Sequence, residues 1–472
     1  MTNSFEGVFA GRFGDQRLAR RGQSMAERIS AGETSVVRRL ASGRAETVAF
    51  GRFLDNEAVT TAEIFAAAGA ATGQRAAGKR VLAIQDTTTL SFPRRGGGGL
   101  GGGLGGDLGR GSDLGPGGDG TVPGIFLHPV LVLDADSGVA LGLAAGEVWT
   151  RAPGKVTPHK ERDIEDRESW RWIACGQAAK AALGKAAHVT LLADRESDIY
   201  EEWALLPSRD KGKPGFDLLT RACRDRKLAG GGLLFATVRS WPVAACYRFD
   251  IAARKDRPAR VARMEVRFGT VSIAKPANCQ TKGMPKTVTL QLVEVAEVGA
   301  PDGHEPVLWR LLTTAPVASV DAALDSVQLY QQRWRIEEYN RTLKKSGIDL
   351  EGAMVEGVHA LKNLVAMGAV AGVAVMQLVE GRDAGPERRA SEVIDATEDE
   401  FAVRLCATLE GKTAKQKNPH AAGSLAWISW IVARLGGWSG YTRYGAAGPK
   451  TMAHGWQKFK AMAQGWMLSK HV

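Results

Sequence analysis

Two short, mostly apolar segments that each run into an aspartate restrict the fold more than any other feature of the sequence. Residues 81–85 and 188–193 are rich in Val, Leu and Ala, and Asp86 and Asp194 follow them directly. Apolar runs of this length are typical of strands buried on both faces. A charged segment at residues 160–183 predicts a helix between the two strands. Strands and helices in this order predict an α/β fold, with helices packed on a mixed sheet.

The segment after Asp194 contains a helix-start pattern. Asp198 and Glu201 have the spacing of a capping box, in which the first side chain caps the helix and the second bonds back to the cap. We therefore expect a helix to open at Asp198. Alternating or β-branched patterns predict further strands at residues 127–133, 139–149, 259–266, 287–298 and 308–312.

Length and composition predict three regions. A chain of 472 residues with 44% hydrophobic residues normally divides into two or three packed domains. Residues 1–75 have the pattern of short arginine-rich helices, which fits a helical DNA-binding domain and an ordinary solvated surface equally well. Residues 76–355 contain the strands, including a basic, β-rich insertion at about 223–305. Residues 356–472 are predicted to be helical to the end.

The balance of charge favours an anionic partner. Lys and Arg number 62 against 51 Asp and Glu, which gives a formal net charge of +11. Nucleic acid is the commonest anionic partner of such proteins. The five cysteines have no C-x-x-C spacing, so neither a disulfide framework nor a zinc cluster is indicated, and a reducing compartment is expected. No basic and apolar leader is visible at the N-terminus, so we expect no secretory signal.

The strongest apolar run, residues 364–379, predicts a buried helix. It is interrupted by Gln377 and is shorter than the roughly 20 residues that span a bilayer, so no membrane association is expected. Gly368 and Gly372, four residues apart, predict close approach of another backbone in that buried setting.

A glycine-dominated stretch covers residues 96–120. It contains spacings that resemble phosphate-binding loops, but no Lys-Ser or Lys-Thr follows them. Its glycine content far exceeds what a phosphate cradle requires. A flexible loop is the better interpretation.

A polar stripe lies on the long helix predicted over residues 319–346. Tyr330, Arg333, Glu337 and Lys344 fall at offsets of three, seven and fourteen, which places them within a stripe about 60° wide, and Arg341 joins them. Such a stripe can bind a phosphate backbone while its carboxylate faces a metal. A solvated helix face with an ordinary i,i+4 Arg–Glu pair explains the same pattern.

The combination of Glu337 with Asp86 and Asp194 gives the stripe a chemical interpretation. Mg²⁺ prefers carboxylate oxygens and usually keeps water and substrate phosphate in its shell. Three carboxylates can hold two such ions about 3.5–4 Å apart, where one activates the attacking hydroxyl and the other stabilises the leaving oxygen. The three residues together therefore predict phosphodiester chemistry.

Residues 330–344 resemble a specific family signature. Tyr330, Arg333, Glu337 and Lys344 have the spacing Tyr-(2)-Arg-(3)-Glu-(6)-Lys of DDE transposases of the insertion-sequence-four family. The sequence around Asp86 and Asp194 is also similar to this family. Further similarity is found at residues 14–17, 257–260, 422–425, 433–437 and 454–456, so that the similarity extends over nearly the whole chain.

The resemblance implies a fold and a pathway. The fold would be an RNase H-like core interrupted by the β insertion, with residues 1–75 recognising transposon ends and residues 356–472 forming a homodimer. The pathway would be cut-and-paste transposition on double-stranded DNA: a nick, a hairpin, its opening, and joining of the 3′-hydroxyl to target DNA. Two Mg²⁺ ions, replaceable by Mn²⁺, would be the cofactors. The expected location is the bacterial cytoplasm, on the nucleoid when DNA is bound.

The resemblance also implies roles for individual residues. Asp86, Asp194 and Glu337 would be catalytic and bind the metals. Trp309 occupies the position where the family stacks a flipped base, although a core tryptophan is the alternative. The remaining DNA contacts would come from Tyr330, Arg333, Lys344, Arg341, Trp334, Arg221, Arg17 and Arg21. The chain departs from the family pattern at Leu18, often a basic position, and at Asn340, where relatives carry His.

Two other functions remain open from the sequence. A transposase-derived protein that binds DNA without turnover would keep the same carboxylates. An RNase H-like resolvase or nuclease would share the metal chemistry without joining strands. The Tyr, Arg and Lys that accompany Glu337 favour transposition, because a simple nuclease needs only carboxylates.

Overall fold

The computed structural model describes residues 5–31, 34–92, 114–118, 120, 122–151, 168–251, 253, 258–344, 347–382, 385, 388–441 and 445–470. Most of the glycine-rich segment, the start of the helix expected from residue 160, and the basic residues 254, 255 and 257 lie outside this description. Of the glycine-rich segment, the described part includes Pro116, which forms an isolated bridge with Pro123.

Among the described residues, four α-helices precede the sheet. They are α1 (Gln16–Ala31), α2 (Val37–Leu40), α3 (Arg44–Asp55) and α4 (Thr61–Arg75). Thr60 caps α4 by accepting a hydrogen bond from the backbone N–H of Glu63 at 3.2 Å. Gly69 of α4 lies against the carbonyl of Ala144 so closely that a Cβ would clash with it, which lets the helix backbone rest directly on the sheet. These helices share one hydrophobic core with the sheet.

Ten strands of the described residues form one mixed sheet. They are β1 (Arg80–Gln85), β2 (Thr88–Ser91), β3 (Gly124–Asp134), β4 (Ala140–Trp149), β5 (His188–Ala193), β6 (Gly215–Arg221), β7 (Ala245–Ile251), β8 (Arg260–Ala274), β9 (Thr287–Val298) and β10 (Leu308–Thr313). Their order is β2-β3-β1-β5-β6-β10-β9-β8-β7, and β4 pairs with β3. The pairs β1–β5 and β5–β6 are parallel and the others are antiparallel. The mixed α/β fold expected from the sequence is confirmed.

The remaining helices cover the sheet or follow it. They are α5 (Trp170–Ala182), α6 (Tyr200–Leu205), α7 (Leu234–Arg239), α8 (Val320–Gln331), α9 (Arg335–Leu343), α10 (Val358–Gly381), α11 (Ala396–Leu409), α12 (Leu425–Leu435) and α13 (Pro449–Ser469). The last three form a separate hydrophobic cluster in which Trp427, Trp430 and Trp456 are buried.

The β-rich segment predicted as an insertion belongs to the same sheet as the strands before it. All six residues of β10 pair with β9, and β8 and β7 extend the ladder outward. The hydrogen-bonded ladder therefore runs without a break from the aspartate-bearing strands to the outer edge at β7.

Two local predictions about helices are wrong. Asp198 does not cap a helix: a 3₁₀ turn occupies Arg195–Ser197, and α6 opens with Ile199 as its cap. The Asp198 side chain instead accepts hydrogen bonds from Arg226 and from the backbone N–H of Cys223. The long helix is also broken, because a 3₁₀ turn at Gln332–Trp334 separates α8 from α9, which ends at Leu343.

The apolar helix α10 is buried, as expected. It is long and apolar enough to cross a membrane, but 89% of its apolar window is buried inside the protein, which is consistent with a soluble protein. The sequence predicted that another backbone would approach its glycines, but the atoms nearest to a Cβ placed at Gly368 or Gly372 belong to side chains. A Cβ on Gly372 would instead lie 2.5 Å from the side chain of Leu343, and Gly368 faces the side chain of Leu350.

Candidate functional site

The sheet brings the two strand-end aspartates together. β1 and β5 are parallel neighbours, and Ile84 is the partner of Leu192. Continuing this register by two residues puts Asp86 opposite Asp194. On the other side of β5, Ala193 is the partner of Thr220, so Arg221 is the next residue along the neighbouring strand. The carboxyl ends of three parallel strands thus bring two acids and one arginine to the same edge.

The electrostatics of Asp86 reflect the proximity of the two acids. Burial and, to a smaller extent, the nearby charge of Asp194 together raise the pKa of Asp86 to about 7, against the lowering effect of Arg333. A carboxylate pair of this kind favours a bound proton or cation, because two neighbouring negative charges in a partly desolvated site repel each other.

A third acid of this edge was not recognised from the sequence. Glu196 follows Asp194 in the 3₁₀ turn, and its pKa is raised by burial and by the charge of Asp194. Asp194 accepts a hydrogen bond from the backbone N–H of Glu196 at 2.8 Å, which holds the turn against the strand end. The segment contains several other acids, and nothing in the spacing of Glu196 distinguishes it from them.

Tyr330 of α8 and Arg333 of the turn between α8 and α9 lie near these acids. Arg333 Nη2 forms an ion pair with Glu337 Oε1 at 2.8 Å, and the charge of Asp86 acts on the same guanidinium. Tyr330 is buried, and the charges of Arg333, Arg221 and Asp194 all act on its hydroxyl. Burial is nevertheless the main influence on Tyr330 and raises its pKa.

Helix α9 is fixed against α10 along its length. The Tyr339 hydroxyl donates a hydrogen bond to the carbonyl of Ala369 at 2.6 Å, and Leu343 fills the space beside Gly372. Arg335 lies 3.6 Å from the buried carboxylate of Glu380. These contacts use the faces of α9 that do not carry Glu337, so they set the position of the acid without involving it.

The donor set fits a divalent ion in part. Asp86 and Asp194 provide hard oxygen ligands at one point, where burial and mutual repulsion favour a cation. Glu337 is held by Arg333 instead. Among the described residues no group of three His, Cys, Asp or Glu side chains lies close enough together to hold a metal ion. The two aspartates thus lie together, whereas Glu337 is paired with Arg333, whose charge also acts on Asp86.

The other predicted DNA contacts surround this edge unequally. Trp309 is half-buried and makes edge contacts with the rings of Phe249 and Tyr330, at centroid distances of 5.8 and 6.0 Å. Trp334 is 46% exposed. Arg341 is exposed, and Lys344 leaves the helix as its extended C-cap, so the helical stripe expected from the sequence stops one residue before it.

The two N-terminal arginines are not part of this cluster in the structure. Arg17 is exposed on α1 and lies 3.7 Å from Asp15. Arg21 donates a hydrogen bond to the carbonyl of Ala49 at 3.4 Å. Their described contacts are therefore all within the N-terminal helices.

A buried polar network lies directly beneath the strand ends. Gln85, His128, Ser197 and Glu202 are fully buried. Gln85 and Ser197 both bond to Glu202, and His128 bonds to Thr87. This network was not predicted from the sequence, because its members come from three separate stretches of the chain and lie on four different elements. No protein-family model matches the chain.

Proposed function

We propose that the chain is a divalent-metal-dependent DNA transposase that cleaves and joins strands at transposon ends. The observation that carries the proposal is the meeting of Asp86 and Asp194 at adjacent strand ends, electrostatically coupled to the Arg333–Glu337 pair. The strand directions also support an RNase H-like core, since β4, β3 and β1 are antiparallel and β5 and β6 then run parallel to β1.

The chain's own residues have separable tasks in this proposal. Asp86, Asp194 and Glu337 would hold two Mg²⁺ ions, which supply activation of the attacking oxygen and stabilisation of the leaving oxygen. Arg333 and Tyr330 would bind phosphate oxygens at the edge of the acids. A phosphate bound by Arg333 competes with Glu337 for the guanidinium, so DNA binding and release of this carboxylate would be linked.

The proposed partners are DNA and a second copy of the chain. The net charge of +11 and the exposed Arg341 and Trp334 suit a duplex. Dimer contacts are assigned to residues 356–472, where Val403, Met462 and Leu468 expose 56%, 46% and 65% of their surface. We place the protein in the bacterial cytoplasm.

Strand cleavage by variants tests the proposal. Duplex DNA carrying the inverted repeats that flank the coding region would be incubated with Mg²⁺ and analysed on a denaturing gel. D86A, D194A and E337A should each abolish nicking and hairpin formation while binding the same DNA within about threefold of the unsubstituted chain. D210A, which removes an exposed acid of the loop between α6 and β6, is the control and should cleave normally. Normal cleavage by D86A or D194A would refute the assignment.

A second function is favoured by one observation. Glu337 is paired with Arg333, and no three acids of the described residues are grouped closely enough to hold a metal ion, as expected of a DNA-binding protein that no longer turns over. Such a protein would bind the repeats without producing nicks in either Mg²⁺ or Mn²⁺. A nuclease would give cleaved ends without hairpins on the same gel.

A further inference from the structure

Beyond the last paired residues of β1 and β5, a buried side chain also links the two aspartate-bearing strand ends. Glu202 Oε1 accepts a hydrogen bond from Gln85 Nε2 at 2.8 Å, and its Oε2 accepts one from Ser197 Oγ at 2.5 Å. Gln85 directly precedes Asp86, and Ser197 closes the 3₁₀ turn that Asp194 caps. Glu202 lies on α6, so this helix connects the ends of two neighbouring strands through one carboxyl group.

The partners on the far side of Gln85 extend the connection. The His128 Nδ1 lies 2.9 Å from Thr87 Oγ1, and its Nε2 lies 3.4 Å from Gln85 Oε1. Burial lowers the pKa of His128 to about 3, so the ring is neutral. Because Gln85 Oε1 can only accept, Nε2 carries the proton and Nδ1 accepts from Thr87. His128 of β3 therefore forms hydrogen bonds with the residues on both sides of Asp86, Gln85 and Thr87.

The hydrogen bonds of Glu202 do not require an ionised carboxylate. Burial raises the pKa of Glu202 to about 8, although its bonds to Ser197 and Gln85 act in the opposite direction. A neutral carboxyl group in this position satisfies two neighbours without placing a further negative charge beneath the two acids. Such a role needs the shape and hydrogen-bonding capacity of the side chain, both of which glutamine retains.

We propose that Glu202 is a positioning residue for the divalent-ion site: by linking Gln85 to Ser197 it fixes the separation of Asp86 and Asp194. This inference rests on the proposed function, because it concerns the ion that the two aspartates would hold. Residues that orient metal ligands through hydrogen bonds typically change metal affinity about 10-fold to 100-fold when they are removed. Glu202 touches neither aspartate in the described structure, so its effect would pass through the backbone of the two strand ends.

The test measures Mn²⁺ binding directly, by electron paramagnetic resonance of free Mn²⁺ titrated with the full chain in the absence of DNA. The variants are E202L, which removes both hydrogen bonds, and E202Q, which keeps them. The matched control is E398L: Glu398 is an equally buried acid of α11, paired with Lys460 at 2.8 Å and on a different hydrophobic cluster. Thermal unfolding without metal is recorded for each variant.

The expected result separates positioning from stability. E202L should bind Mn²⁺ about 10-fold to 100-fold more weakly than the unsubstituted chain, E202Q within about threefold of it, and E398L normally despite its own loss of stability. If E202L does not fold, S197A replaces it and should weaken binding about threefold or more. Normal Mn²⁺ binding by E202L, or by S197A where E202L is unfolded, would overturn the positioning role alone. Failure of the unsubstituted chain to bind Mn²⁺ would overturn the proposed function and this inference together.

Discussion

The buried ion pair between Asp198 and Arg226 gives the sharpest prediction for stability. Arg226 Nε donates to Asp198 Oδ1 at 2.6 Å, and the two side chains are 7% and 1% exposed. The guanidinium also lies over the ring of Trp203, at 4.7 Å from its centroid. The pair joins the turn after β5 to the loop after β6. The change to make is R226M, which keeps an unbranched side chain over the ring but removes the charge.

The magnitude follows from what Asp198 loses and keeps. Removing one partner of a buried pair costs about 3–5 kcal/mol, because the remaining charge is left desolvated. Asp198 retains hydrogen bonds from the backbone N–H groups of Cys223 and Arg224, at 2.7 and 2.9 Å. These two donors still stabilise the carboxylate, so we expect the lower end of the range, about 3 kcal/mol in the free energy of unfolding.

Urea unfolding followed by tryptophan fluorescence measures this loss, since Trp203 lies beside the pair. The double variant D198N/R226M has no charge left at this buried pair and should be no less stable than R226M alone. If the losses of D198N and R226M simply add in the double variant, the two side chains are not coupled and the reasoning fails. A loss below about 1 kcal/mol for R226M would also refute it.

Two further predictions concern pH and salt. Burial raises the pKa of Glu380 to about 7, so this carboxyl group binds a proton more tightly in the folded protein than in the unfolded chain. The free energy of unfolding should therefore fall as pH rises from about 4.5 to 7. E380Q should flatten this dependence, which urea unfolding at several pH values measures. DNA affinity should fall with salt concentration, with a log–log slope of about −0.9 per phosphate contact. Arg263 is exposed directly opposite Arg248 of β7, so we expect it to contact a phosphate. R263Q should then make the slope shallower by about 0.9, measured by fluorescence anisotropy. An unchanged pH profile for E380Q, or an unchanged salt slope for R263Q, would contradict these assignments.

The sequence was sufficient for the strands that carry the site. The segment 188–193 is β5 at the same bounds, and the strand before Asp86 differs by one residue at its start. Both are apolar runs with β-branched residues that are buried on the two faces of a sheet, so local composition and tertiary environment agree. Their pairing could not be read from either segment alone, because it depends on contacts between residues about a hundred positions apart.

The local predictions failed where a tertiary partner outweighed a local pattern. Asp198 has capping-box spacing with Glu201, but the guanidinium of Arg226 offers a stronger, charged partner and draws the side chain away from the helix start. The predicted polar stripe required one straight α-helix. In the structure a 3₁₀ turn occupies Gln332–Trp334, and the helix ends before Lys344. Neither a distant arginine nor a change of helix type has a signature in a single sequence.

The unbroken ladder from β5 to β7 sets the distance between the candidate site and the outer edge of the sheet. Five interstrand steps of about 4.8 Å put the outer edge roughly 24 Å from the strand that leads to Asp194. That span corresponds to about seven base-pair steps of 3.4 Å. If a duplex contacts both the β7 edge and the two aspartates, the hydrogen-bonded sheet sets the distance between the two contacts. Changes in loop length would then leave the same phosphodiester bond opposite the acids.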